Sequence, residues 1–175
     1  MFISFFIDWR NMKNLELFRI DDKYIRYLKG SDKRVQNNKN KRRPYVGVVL
    51  TVGSYNYFVP MESPKENHDN IKSGIHILKL DDGRLGLLGF NNMIPVHDSA
   101  LISFNINDEE DEKYSELLKH QIQYINRKKA DIYEHASRTY YKATKGNNQF
   151  LNKICCNFKK LEWACNKYNP NHVKH

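Results

Sequence analysis

Apolar and polar positions alternate at nearly period two over residues 15–20, Leu-Glu-Leu-Phe-Arg-Ile, which predicts a strand. Asp21-Asp22 then caps a short helix carrying Tyr24, Ile25, Tyr27 and Leu28, closed by Gly30. Residues 33–43 hold six basic side chains and no acid, too polar and unpatterned for a core element, and read as a loop. Residues 45–52, Tyr-Val-Gly-Val-Val-Leu-Thr-Val, are a buried strand by their β-branched content. Gly53-Ser54 turns the chain into a partner strand over 55–59, a hairpin. Residues 60–70 form a polar loop. Residues 75–80 alternate again, Asp81-Asp82-Gly83 turns, and 85–90 runs on as a strand. Met93 to Val96 and Ala100 to Ile106 add further short extended segments.

The periodicity then changes. The acidic cluster Asp108 to Glu112 opens a long helix, where negative charge suits the helix dipole. Its apolar face carries Tyr114, Leu118, Ile122, Ile125, Ile132 and Ala136, and the pattern breaks at Gly146-Asn147-Asn148. Asn157 caps a last helix with Phe158, Leu161, Cys165 and Tyr168 on one side. A strand-rich first two-thirds and a helical last third predict an α+β fold with a mostly antiparallel sheet. No repeat and no low-complexity segment interrupts it.

Composition narrows the partner. Of 175 residues, 29 are Lys or Arg and 20 Asp or Glu, a net charge of +9. Hydrophobic residues make up 40%, enough to offset ordering entropy in one folded domain. The mean hydropathy of −0.76 and the lack of an apolar run near 18 residues argue against a membrane-spanning segment. The positive surplus points to an anionic partner, nucleic acid or an acidic membrane surface.

Residues 1–9 include seven apolar side chains but lack the basic flank and cleavage site of a signal peptide. Residues 1–11 are read as an upstream extension before a domain spanning 12–170, and 171–175 as a frayed tail. Cys155, Cys156 and Cys165 are an odd set with one adjacent pair, a poor disulfide framework that fits a reducing cytoplasm. A zinc site would need a fourth ligand such as His172 at a spacing that matches no common motif, so no metal is expected.

Phosphate-loop, dinucleotide, nucleophile-elbow and HExxH signatures are missing from the sequence. The segment richest in chemistry is Pro60 to His68, which places Glu62, Ser63, Lys65 and His68 in a loop after a strand. RNA carries its own nucleophile, the 2′-hydroxyl, so a protein can cleave it without a metal. It must position that hydroxyl, move protons and stabilise charge on the phosphorane. Lys65 suits the charge, Ser63 a hydrogen bond to a phosphate oxygen, and His68 or a tyrosine the proton. Equally, Ser63-Pro64 is a common turn and Lys65 a common surface residue. For RNA binding, Lys33, Arg34, Lys39, Lys41, Arg42 and Arg43 lead into Tyr45, charges beside an aromatic ring. Lys153 and other lysines near the last helices extend that character.

In chain order these segments resemble the ToxN/AbiQ family, the endoribonuclease toxins of type III toxin–antitoxin systems. The resemblance rests on Tyr24-Ile25-Arg26-Tyr27-Leu28, Arg43-Pro44-Tyr45-Val46-Gly47-Val48-Val49-Leu50, and Ser63-Pro64-Lys65 with His68. It continues through Leu85-Gly86-Leu87-Leu88, Asn92-Met93-Ile94-Pro95, the 117–125 helix with Gln121, and Cys156-Asn157-Phe158. It implies a compact, highly twisted antiparallel sheet with surrounding helices, similar to Kid/MazF toxins. It also implies cofactor-free, metal-independent RNA cleavage that leaves 2′,3′-cyclic phosphate and 5′-hydroxyl ends. The implied partner is a repeat RNA antitoxin, processed by the toxin into pseudoknots that block its groove in a cyclic toxin–RNA assembly. The implied role is phage abortive infection or plasmid maintenance. Carried over by residue, the catalytic set is Tyr24, Ser63 and Lys65, and Met93 and Tyr124 match groove-lining positions. Glu62 stands where some members have a hydroxyl residue, which leaves Glu62, His68 and Tyr24 open as the general base.

Overall fold

A computed structural model describes residues 12–40 and 42–171. The expectations for residues 1–11, Lys41 and the last four residues of the tail lie outside the described residues.

The chain builds β1 (Glu16–Ile20), α1 (Asp22–Ser31), β2 (Tyr45–Val52), β3 (Tyr55–Glu62), β4 (Ile77–Lys79), β5 (Leu87–Gly89), β6 (Ile94–Pro95) and β7 (Leu101–Ser103). Helices α2 (Glu112–Arg127), α3 (Lys129–Thr144), α4 (Gln149–Ile154) and α5 (Phe158–Lys167) follow. Among the described residues all strand pairings are antiparallel, in a seven-stranded sheet ordered β4-β5-β3-β2-β1-β7, with β6 also on β3. The expected α+β class holds.

The hairpin of β2 and β3 is the spine. Its register shifts between Gly47 and Leu50, where the Phe58 ring lies so close to Gly47 that a Cβ would sit 2.2 Å from it. Phe58 then meets Phe18 of β1 edge to face at 5.3 Å, tying three strands together. Burial of Leu17, Ile20, Val46, Val49, Tyr57, Val59 and Ile94 makes one core shared by strands and helices.

Three expectations are corrected. The strand over 85–90 is reduced to Leu87–Gly89, because Asp81, Asp82, Gly83 and Gly86 all take positive φ and keep the turn going. The long helix is two helices. At Lys128 (φ −107°, ψ 16°) the N–H is shared between the carbonyls of Tyr124 and Ile125, and the axis breaks. That break lets α2 pack on the β4–β5 connection, where Gln121 donates to the Leu85 carbonyl at 2.7 Å, while α3 packs on β2. A short helix, α4, also forms after the break, capped by Asn148 accepting from the Leu151 N–H.

Between α3 and α5 the core holds a buried carboxylate. Glu162 accepts from the Tyr57 and Tyr140 hydroxyls at 2.9 and 2.7 Å, and Lys159 donates to its second oxygen at 3.1 Å. Fully partnered, this charge fixes α5 against the hairpin.

Candidate functional site

The 32–43 loop is polar yet stitched down at both ends. At its start, Asp32 is buried at the end of α1, grips the Arg34 guanidinium with both oxygens, and accepts from the Asn157 N–H at 2.6 Å. In its middle, Asn38 is buried and donates to the Ile20 carbonyl at 2.7 Å. Toward its end, Arg43 is buried and donates from Nε to the Asn37 carbonyl at 2.8 Å, while its Nη1 has no partner. A buried, unpartnered guanidinium nitrogen is a donor held in readiness for an acceptor.

Strand β3 delivers the second half. Its last residue, Glu62, pairs with Leu87 of β5, and the Met61 N–H bonds to the Pro44 carbonyl at 3.0 Å. The glycine beside it is required: Gly86 has φ +94°, and a Cβ there would lie 1.9 Å from the Glu62 carbonyl oxygen. The chain leaves the sheet at Ser63-Pro64-Lys65, all exposed, and re-enters through a 3₁₀ turn over Glu66–Asn70. Lys65 Nζ donates to Glu62 Oε2 at 2.8 Å. His68 is buried beneath the loop, its Nε2 4.0 Å from the same oxygen and its Nδ1 unpartnered. Gln36 of the basic loop reaches Glu62 Oε1 at 3.5 Å and the Asn92 amide oxygen at 2.9 Å.

Electrostatics follow from these contacts. Partial burial pushes the Glu62 carboxyl upward, but Lys65, Arg43 and Gln36 together hold it below the ordinary carboxylate range. Partial burial and the neighbouring Arg43 and Lys65 charges lower the Lys39 ammonium. One cleft of about 500 Å³ adjoins the loop, with Lys39, Arg42, Arg43 and Ser63 on one wall. Glu109, Glu110 and Asp111, at the start of α2, line the other. A cavity of similar size, about 510 Å³, lies between β2 and α3 against Tyr133 and Tyr141 and contains none of the candidate residues. Among the described residues no three His, Cys, Asp or Glu side chains converge as a metal ion would need.

The structure brings Lys39, Arg42, Arg43, Glu62, Ser63, Lys65 and His68 together. It does not bring in Tyr24, Tyr45 or Met93, which are buried in the core. The Tyr24 hydroxyl donates to the Pro95 carbonyl at 2.7 Å, and burial pushes its ionisation far up. Tyr45 is likewise buried and raised, with no face open for a base. Tyr124 is half-buried on α2 with the Arg127 guanidinium 5.7 Å from its ring. Lys33, Arg34 and Lys153 lie at the far end of the loop, where Arg34 donates to the Asn152 carbonyl at 3.0 Å. Sequence reasoning missed Gln36, Asn92 and the acidic wall. Gln36 sits inside the basic run, the one signal that pointed to it.

Fold and cleft together describe a small α+β protein with the Ser63 hydroxyl and the Arg43 guanidinium on one cleft and the Lys65 ammonium on the adjoining turn. The family described as "Toxin ToxN, type III toxin-antitoxin system" matches residues 16–166, and this chain belongs to it. It is 30% identical to Endoribonuclease ToxN of Bacillus thuringiensis subsp. kurstaki over 90% of this chain and 86% of that one. It is 29% identical to Endoribonuclease AbiQ of Lactococcus lactis subsp. lactis over 95% and 96%. A solved structure describing selective toxin inhibition by a non-coding RNA pseudoknot superposes with a TM-score of 0.80 at 30% identity, over 89% of this chain and 98% of that one. The structure of AbiQ, described as a lactococcal anti-phage endoribonuclease, superposes with a TM-score of 0.80 at 28% identity, over 88% and 97%.

Proposed function

We propose that this protein is an endoribonuclease toxin of a type III toxin–antitoxin system, cutting RNA in the cleft lined by the basic loop and Ser63. The observation that carries the reading is Ser63 and the Arg43 guanidinium, whose Nη1 is unpartnered, on the lining of one cleft, with Lys65 two residues beyond Ser63 on the exposed turn, in a chain of this family. An RNA phosphate in the cleft would meet Arg43 and Lys39, with the Lys65 ammonium and the Ser63 hydroxyl at the reacting phosphorus. The 2′-oxygen bonds to phosphorus as the bond to the 5′-oxygen breaks. The 2′-proton passes to water in the cleft and the 5′-oxygen takes one from water, giving a 2′,3′-cyclic phosphate and a 5′-hydroxyl. Excess negative charge on the phosphorane is the largest barrier, and preorganised donors meet it without a metal. Glu62 holds the Lys65 ammonium in place, and buried His68 backs Glu62 rather than touching substrate.

The inhibitor in this reading is a repeat RNA, folded as a pseudoknot into the same cleft and closing with the toxin into a cyclic assembly in the cytoplasm. The biological role is phage defence or plasmid maintenance, in line with the anti-phage activity named for the lactococcal relative. Residues 12–170 form the toxin domain. Induced expression in bacteria is expected to arrest growth, Lys65→Ala to relieve the arrest, and co-expression of the cognate upstream repeat RNA to restore growth. Arrest that persists unchanged in Lys65→Ala would overturn the assigned site.

A further inference from the structure

Helix α5 carries an outward face that the cleft does not use. At its centre is Trp163, 62% exposed and the most exposed large apolar side chain among the described residues. One helical turn to either side stand Lys159, Lys160, Asn166 and Lys167, all exposed. The only carboxylate of the helix, Glu162, is buried and turned toward Tyr57 and Tyr140, with Lys159 as its salt-bridge partner. Lys160 and Lys167 pair with no carboxylate among the described residues. Among the described residues the face is therefore one indole ring framed by ammonium groups, of which Lys160 and Lys167 have no paired acid.

This chemistry discriminates among partners. A membrane-surface helix needs a continuous apolar stripe, and here the stripe is a single residue. Protein interfaces disfavour lysine and bury an aromatic among other apolar groups, which this face lacks. An unpaired nucleotide suits it: the base has a π-face for the indole, and its flanking phosphates fall to the lysines. Helix α5 is tied to the start of the basic loop, because the N–H of its Asn157 cap donates to Asp32 at 2.6 Å. From that bond the basic loop runs on to Arg43 in the cleft wall.

We propose that the outward face of α5 is a second RNA-contact surface, on which one unpaired base stacks on Trp163 while Lys160 and Lys167 hold the adjacent phosphates. The proposal rests on the RNA-cleaving reading and deepens it: RNA longer than the cleft is gripped at two places.

The test uses the full chain carrying Lys65→Ala, so that RNA is not consumed, and an unstructured 20-nucleotide RNA. With Trp9→Phe added, Trp163 is the lone tryptophan, and RNA is expected to quench its emission. Trp163→Ala is expected to weaken affinity about five- to 150-fold, the range for loss of one base stack, and Trp163→Phe to restore most of it. Lys160→Gln with Lys167→Gln is expected to reduce the slope of log affinity against log salt by about 1.4. These side chains are exposed, so thermal melts of the variants verify that folding is intact. RNA binding with no quenching, and with affinity unchanged in Trp163→Ala, overturns the second surface and leaves the cleft reading standing. Quenching by anionic vesicles but not by RNA also overturns it, in favour of a membrane. Failure of the otherwise native chain to bind or cut RNA at all overturns both readings.

Discussion

Lys65 and Glu62 are three residues apart, and their 2.8 Å contact sets the character of the site. A carboxylate already held below its ordinary range by an ammonium and a guanidinium is a weak base at neutral pH. In the proposed reaction its work is to aim Lys65. Glu62→Gln is therefore expected to keep the RNA cleavage rate within about tenfold of the parent, whereas loss of a general base costs about 10²- to 10⁴-fold. Single-turnover rates from pH 5 to 9 check this, since a base would also take the acid limb of the profile with it. At this scale the sequence showed which residue types were present but not which way they faced. Ser63 and Lys65 follow a strand and precede a turn, so their exposure was readable. Tyr24, Tyr45 and Met93 carry polar or polarisable tips on residues that pack well in cores, and only tertiary contacts decide between tip and body. Each of the three is buried.

The elements that hold the site are joined by a few tight contacts. Gly86 is one, because its positive φ and its approach to the Glu62 carbonyl let the β4–β5 connection lie under the end of β3. Gly86→Ala is expected to destabilise the fold by more than about 2 kcal/mol, measured by urea unfolding. Asp32 is another, linking α1, the basic loop and α5. Burial raises its carboxyl, but the Arg34 guanidinium and the Asn157 N–H outweigh that and hold it below its ordinary value. A depressed folded-state value means the stabilisation is complete above the unfolded value near 3.8 and is lost as pH falls below it. Asp32→Asn is expected to cost about 1.5–3 kcal/mol at pH 7 and progressively less below pH 4. Unfolding titrations of both proteins across that range check the sign. Hydrophobic period placed β1, the β2–β3 hairpin, α1 and α5, and ran β5 too long. It did not show the break at Lys128, because the apolar spacing from Ile125 to Ile132 is seven residues, the same as for an unbroken helix.

Over the whole molecule, the +9 charge is spread unevenly. Much of it gathers along the loop from Arg34 to Arg43 and at the ends of α4 and α5, while Glu109 to Asp111 face the loop across the cleft. A single strand lying along the basic wall releases counterions, so affinity for RNA is expected to fall steeply with salt. Arg42→Gln should flatten the slope by about 0.7, and an unchanged slope would place the strand elsewhere. No helix among the described residues is long and apolar enough to cross a membrane. Of the two anionic partners that composition left open, the proposed reaction in the cleft calls for RNA. The most direct measurement is cleavage of a defined RNA by the purified chain in EDTA, with the product ends identified chemically. The parent is expected to yield 2′,3′-cyclic phosphate and 5′-hydroxyl ends, and Lys65→Ala to be slower by about a hundredfold or more. Intact RNA with the parent chain in EDTA, or an equal rate for Lys65→Ala, would contradict the account.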